Sequence, residues 1–224
     1  MSSSCPSSPG KLYETSAGPG GLELIARGLN LAGVTPGARI IDIGCGSGEA
    51  VQWMRASRGL EAFGIDCARE RFHIGGRLVQ GDGGDLPFTS GAFDAVLAQC
   101  SFSIIRRREA ALRECARVLV PRGVLIVADV YDRGGPDASG RWPALLPFDD
   151  FWRQLAAQRF HPLLWEDHSR VLSQFLFRFV MEHGSLDGLW NAAGRDGTRS
   201  CSLGASVRGK RPGYFLLIAR TEGE

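Results

Sequence analysis

The stretch Ala38-Arg39-Ile40-Ile41-Asp42-Ile43-Gly44-Cys45-Gly46-Ser47-Gly48 joins a short β-branched run to a loop in which every second residue is glycine. Isoleucines at that density favour a buried strand. The glycines let the backbone turn tightly at the strand's carboxyl end and come close to a ligand. Val51 and Met54 then begin a helix behind the loop. A strand, a glycine loop and a helix in that order open a βαβ unit.

The same alternation continues on both sides. Upstream, Leu22, Ile25, Leu29 and Ala32 recur at helical spacing. Downstream, Glu61–Asp66, Arg77–Asp82, Phe93–Cys100 and Val124–Asp129 read as strands. Leu112, Cys115 and Leu119 mark an amphipathic helix stopped by Pro121 and followed by a turn at Arg122-Gly123. Strands exchanging with helices argue for a parallel sheet covered on both faces, and right-handed crossovers make it doubly wound.

Beyond Tyr131 the pattern loosens: Gly134–Ala144 reads as loop, and Asp149 or Asp150 as the N-cap of a helix through Phe151, Trp152 and Leu155. Leu163–Glu166 and Tyr214–Ala219 are the last strand candidates. Val171–Met181 is apolar on nearly every face, so a helix there needs a cover, while Asp187–Leu203 is Gly-rich and without period. This gives a flexible tail over 1–12 and a single domain over 13–224, with a core at 38–131 and elaborations at 132–160 and 168–205.

Composition excludes some classes. Hydrophobic residues are 44% and charged residues 22%, ordinary for a globular protein, and a net charge of +2 does not by itself imply a nucleic-acid partner. Arg106-Arg107-Arg108 is the one dense basic run and reads as a solvated helix start. No apolar run is long enough to span a membrane. The Ser- and Pro-rich start lacks the apolar stretch of a signal peptide. Cysteines at 5, 45, 67, 100, 115 and 201 form no C-x-x-C pair and match no zinc spacing, so no metal is expected. They read as free thiols in a reducing, cytoplasmic compartment.

Three details weigh between an S-adenosylmethionine-type ligand and a dinucleotide. The spacing is G-x-G-x-G, and position 49, where a dinucleotide fingerprint carries its third glycine, is Glu. A carboxylate at that helix start opposes a pyrophosphate. Asp66 ends the second strand, where an acid can accept both ribose hydroxyls of an adenosine. Asp82, within Gln80-Gly81-Asp82-Gly83-Gly84-Asp85-Leu86-Pro87-Phe88, ends the third, where a carboxylate can accept an adenine amino group.

Asp42 through Gly48 resembles motif I of the class I S-adenosylmethionine-dependent methyltransferases. Gly81-Asp82 to Phe88 and Phe93-Asp94-Ala95-Val96 are similar to the following motifs of the type 11, small-molecule branch. Leu112–Leu119 with Pro121-Arg122-Gly123-Val124-Leu125 resembles its R-V-L-x-P-G-G segment, with Arg122 in place of a glycine. Arg211–Leu217 is also like that branch. The likeness is strong over Ala38–Tyr131 and weak elsewhere.

The resemblance implies a Rossmann-like, mostly parallel seven-stranded sheet with an antiparallel last strand and helical cover elements. It implies S-adenosyl-L-methionine as cofactor and S-adenosyl-L-homocysteine as product. Gly44 and Gly46 would bracket the methionine moiety, Asp66 hold the ribose, and Asp82 with Gly83 the adenine. Asp42 would steady the loop or reach the amino group, and the Gln99 backbone carbonyl would meet that group too. Cys45, Gly48 and Cys67 complete the set, the cysteines as small space-fillers.

Methyl transfer from a sulfonium is an in-line displacement in which alignment does most of the work. A base is needed only when the acceptor carries a proton. Asp129 and Tyr131, past the fifth strand, and His168 are the candidates, with His183 behind them. Gln99-Cys100-Ser101-Phe102 stands where an Asn-Pro-Pro-aromatic motif would mark a nucleobase amino target, so a small-molecule acceptor is expected. An NAD(P)-dependent oxidoreductase and a non-catalytic S-adenosylmethionine-binding protein stay open as alternatives, as do monomer and homodimer. The segment 170–203 is expected to be a lid or a subunit interface.

Overall fold

Alternate residues of each strand point to opposite faces, and here both faces are apolar, so helices cover both. The computed structural model describes residues 18–68, 77–133, 146, 148–184 and 212–223. The chain order is α1 (Gly21–Leu31), β1 (Arg39–Ile43), α2 (Glu49–Arg58), β2 (Glu61–Asp66), β3 (Leu78–Gln80) and β4 (Phe93–Gln99). There follow α3 (Arg108–Val118), β5 (Leu119–Asp132), α4 (Phe148–Ala157), β6 (Phe160–Asp167), α5 (Ser169–His183) and β7 (Pro212–Thr221).

The seven strands form one sheet in the order β3-β2-β1-β4-β5-β7-β6. β7 pairs antiparallel with both β5 and β6, and the other pairs are parallel. The expected doubly wound sheet with its antiparallel last strand is therefore the one found.

Ile41, Ile43, Ile65, Leu112, Cys115 and Phe215 pack in one buried cluster. Ile40, Leu29, Met54, Ile126 and Leu216 pack in the other, which includes the inner sides of α1 and α2. Each fully buried Ile, Leu or Met contributes about 1.5–3 kcal/mol relative to exposure. The chain leaves β1 toward β2 and β3, then crosses back to β4 and β5. The order therefore reverses between β1 and β4, which is where open α/β sheets leave a crevice for a ligand.

Several local expectations are corrected. Leu119 begins β5 opposite Phe93 rather than ending α3, and Pro121 sits inside the strand. The register jumps between Phe93/Leu119 and Ala95/Val124, so residues 120–123 bulge out with Arg122 at φ 63°. A bulge spares Pro121 a ladder bond, which is why the strand survives it. β3 is only Leu78–Gln80, and Asp82 lies in the turn beyond, bridged to Asp85. α4 starts at Phe148, which puts Asp149 and Asp150 in its first turn rather than at its cap. Cys100 and Cys115 are free thiols, but Cys67 is disulfide-bonded, so the expectation of six free thiols fails there.

α5 buries Leu172 in the same cluster as Tyr214 and Leu216 of β7, Phe179 is also buried, and Phe177 and Met181 are exposed. The tail 1–12, the loop 134–144, the stretch 187–203 and the His183 side chain lie outside the described residues. Among those described, no helix is long and apolar enough to cross a membrane.

Candidate functional site

At the end of β1 the Gly44 and Cys45 N–H groups both donate to the Ile65 carbonyl, at 2.8 and 3.1 Å, folding the loop against β2. Gly44, Gly46 and Gly48 all have left-handed φ, at 77°, 54° and 86°. Gly44 is more tightly hemmed in than Gly48. A Cβ there would stand 2.4 Å from Ser101 Oγ, so no side chain fits between β1 and the chain leaving β4. Ser101 Oγ itself donates to the Ile43 carbonyl at 2.6 Å.

The Asp66 carboxylate closes the other side of the loop. It accepts the Gly46 N–H at 3.0 Å and the Ala68 N–H at 2.9 Å, and the residue is 5% exposed. Asp42 lies on the same face of the sheet, with Gly64 as its neighbour across the ladder. A Cβ on Gly64 would fall 2.7 Å from Cys45 Sγ, so Cys45 fills the space this glycine leaves.

The Asp42 carboxyl is 4% exposed and accepts no hydrogen bond from a described residue. Burial first, and the neighbouring Asp66 charge second, push it up to about 7. An acid so placed, with no donor, matches a cationic ligand group.

Further along the same edge, Asp82 accepts the Gly84 N–H at 2.8 Å and the Arg107 guanidinium at 2.8 Å. Burial raises its pKa, but these two donors outweigh it and the net shift is downward. The sequence reading missed Arg107, because nothing local connects a basic run to an acid 25 residues earlier. Gly83 packs under Ile43, its Cβ position 3.0 Å from Cγ2. The Gln99 side chain donates to the Pro19 carbonyl at 3.3 Å, tying the entry to α1 onto β4.

The three candidate bases lie farther along the sheet, and each is engaged. Asp129 is fully buried and accepts the Ser103 N–H at 3.0 Å and its own following N–H, that of Val130, at 2.7 Å. Burial pushes it up to about 6, against those bonds and the charge of Arg108. Tyr131 donates its hydroxyl to Asp167 at 3.0 Å within a ring cluster of Phe148, Trp165 and Phe215. His168 Nε2 lies 2.9 Å from Glu166, which also takes a two-pronged contact from Arg27 at 2.7 and 2.5 Å. The Arg27 hydrogen bonds hold Glu166 down at about 2, with His168 adding to them against a contribution from burial. Among the described residues no group of His, Cys, Asp and Glu could hold a metal.

Residues 41–127, from β1 into β5, match the family model described as a methyltransferase domain. An O-methyltransferase of Pyrenophora dematioidea is 29% identical over 211 residues, 85% of this chain and 78% of that protein. A fatty-acid O-methyltransferase of Mycolicibacterium smegmatis is 38% identical over 106 residues, 43% of this chain and 39% of its own length. Among solved structures, the cyclase SpnF superposes with a TM-score of 0.73 at 24% identity, covering 99% of this chain and 88% of that one. A Haemonchus contortus phosphoethanolamine N-methyltransferase, solved with S-adenosyl-L-methionine, gives 0.69 at 15% identity, covering 92% and 54%. At such identities these two likenesses speak for the fold alone.

Proposed function

We propose that this chain is a class I S-adenosylmethionine-dependent methyltransferase, a reading supported by the match to a methyltransferase domain, and that Asp42, Gly44, Gly46, Asp66, Asp82 and Gln99 hold the cofactor. The methyl group then passes to an oxygen of a small molecule. When bound, S-adenosylmethionine supplies an electrophilic methyl on a sulfonium, open to in-line displacement.

The observation that carries the reading is Asp42. A nearly buried carboxyl with no donor, raised to about 7, fits an ammonium group. An ammonium beside it would restore its charge and supply the missing donors. Asp66 accepts the Gly46 and Ala68 N–H groups, one on each oxygen, and a carboxylate oxygen can accept more than one hydrogen bond, as two ribose hydroxyls would require. Gly44 brings bare backbone to the reaction edge, where any side chain would displace Ser101. Gln99 holds the entry to α1 over the end of β4, which helps exclude water, a competing nucleophile. An oxygen acceptor is supported by the relatives named as O-methyltransferases.

The test is a calorimetric titration with S-adenosylmethionine, S-adenosylhomocysteine and NADH, followed by label transfer to a panel of hydroxyl- and carboxyl-bearing small molecules. S-adenosylhomocysteine should bind and NADH should not. Asp66→Ala should weaken S-adenosylhomocysteine by about 1–3 kcal/mol, the worth of charge-assisted hydrogen bonds, while the protein stays folded. Unchanged affinity in that variant would remove Asp66 from the site. Binding without transfer to any acceptor would favour the non-catalytic reading.

A further inference from the structure

The parallel strands start at the edge opposite the Gly44 loop, and there the chain gathers arginines around a single acid. Arg122, in the β5 bulge, and Arg159, just before β6, have φ of 63° and 56°. They are two of the three non-glycine residues with left-handed backbone among those described. Such a conformation costs an L-residue energy, and outliers of this kind concentrate at functional sites.

Glu222 sits between these elements, and both its oxygens are engaged: His161 Nε2 at 3.0 Å and Arg159 at 3.6 Å. That leaves the Arg122 and Arg220 guanidinium groups with no acidic partner among the described residues. Arg220 Nε is buried with no acceptor among the described residues. The two arginines line one cleft of about 380 Å³, together with His161, Leu163, Thr221 and Glu222. This lies within the size range of small-ligand pockets, about 300–1,000 Å³.

We propose that this cleft binds an oxyanion carried by a small molecule, a phosphate or a carboxylate, with Arg122 and Arg220 as its donors. A guanidinium presents paired N–H groups in a fork that matches an oxyanion's oxygens. A buried N–H without an acceptor is costly, and an anion oxygen against Arg220 Nε removes that cost. Arg122 stands where the type 11 segment that this chain resembles carries a glycine. Its side chain, held at the cleft by a strained backbone, is thus a feature of this protein rather than of the fold.

The experiment uses the full chain, with inorganic phosphate, sulfate or acetate titrated at constant ionic strength and followed by thermal unfolding and by phosphorus NMR line width. Phosphate should raise Tm progressively, by about 3–5 °C at ten times its Kd, and broaden its phosphorus line saturably. Arg122→Gly removes the guanidinium at a position whose backbone glycine adopts freely, so the variant should fold. It should cut phosphate affinity about tenfold or more while leaving S-adenosylhomocysteine affinity unchanged. A response to acetate as well as phosphate supports a general oxyanion site, and phosphate and sulfate alone support a tetrahedral one. No saturable response, or the same response in Arg122→Gly, overturns the proposal. Failure of S-adenosylhomocysteine binding with the phosphate response intact would fell only the methyltransferase reading.

Discussion

Two stretches of the same sheet edge use their polar residues in opposite ways. At the ends of β1 and β2, Asp42 is left without a donor among the described residues, and Asp66 accepts the Gly46 and Ala68 backbone N–H groups. At the ends of β5 and β6, Asp129, Tyr131 and His168 are each matched to a protein partner. A buried polar group normally finds its partner within the fold. On this edge Asp42 has none among the described residues, and it marks where a ligand is expected to complete the structure. The satisfied groups hold elements together: Asp129 fastens the chain after β4 to β5, and Glu166 joins α1 to the start of α5 through Arg27 and His168.

The largest effect expected from breaking this contrast is at Gly44. Gly44→Ala would place a methyl 2.4 Å from Ser101 Oγ at a φ of 77°. The left-handed strain and the overpacking together should destabilise the fold by about 2–4 kcal/mol and abolish S-adenosylhomocysteine binding. Urea melts and calorimetry read the two losses separately. A variant of unchanged stability would mean that Ser101 is not held against the loop.

Asp42 gives the next effect, and its sign is set by its raised pKa. In the folded protein the carboxyl keeps its proton up to about 7, whereas the unfolded chain releases it near 3.8. Stability from this group is therefore complete below the lower value and is lost as pH rises through the upper one. Asp42→Asn should remove that loss, so the free variant gains stability relative to wild type at pH 8 but not at pH 4. It should also weaken S-adenosylhomocysteine about tenfold or more, since a neutral amide holds an ammonium poorly. Parallel melts at the two pH values check the first outcome and calorimetry the second. Unchanged affinity would return Asp42 to a loop-steadying role.

The smallest effect belongs to the satisfied region. Tyr131→Phe gives up the hydrogen bond to Asp167 but keeps the ring among Phe148, Trp165 and Phe215. A loss of about 0.5–1.5 kcal/mol in stability is expected, with S-adenosylhomocysteine affinity unchanged. A fall in turnover far beyond this, at unchanged affinity, would instead give the hydroxyl a part in the chemistry.

The strands and helices from Ala38 to Tyr131 were legible because their signals are local. The Ile40–Ile43 run, the glycines after it, the acid ending β2 and the one just beyond β3 all follow from short-range sterics and strand geometry. Errors gathered where a long-range pairing overrode the local signal. Pro121 reads as a stop, yet the strand runs through it because the bulge against Phe93 and Ala95 relieves the missing ladder bond. Val171–Met181 reads as a helix that needs a cover, and in the structure Leu172 packs in the cluster with β7 while Phe177 and Met181 are exposed.

By itself the sequence determined the fold class and the acids that face the loop. These rest on periodicity, on glycine's access to positive φ and on where strands end. Which of those acids lacks a partner was decided only by the tertiary structure. So was the pairing of Arg107 with Asp82 across 25 positions, and the engagement of Asp129, Tyr131 and His168. Hydrogen-bond satisfaction and desolvation depend on neighbours brought together from distant parts of the chain, and no local pattern of residues records them.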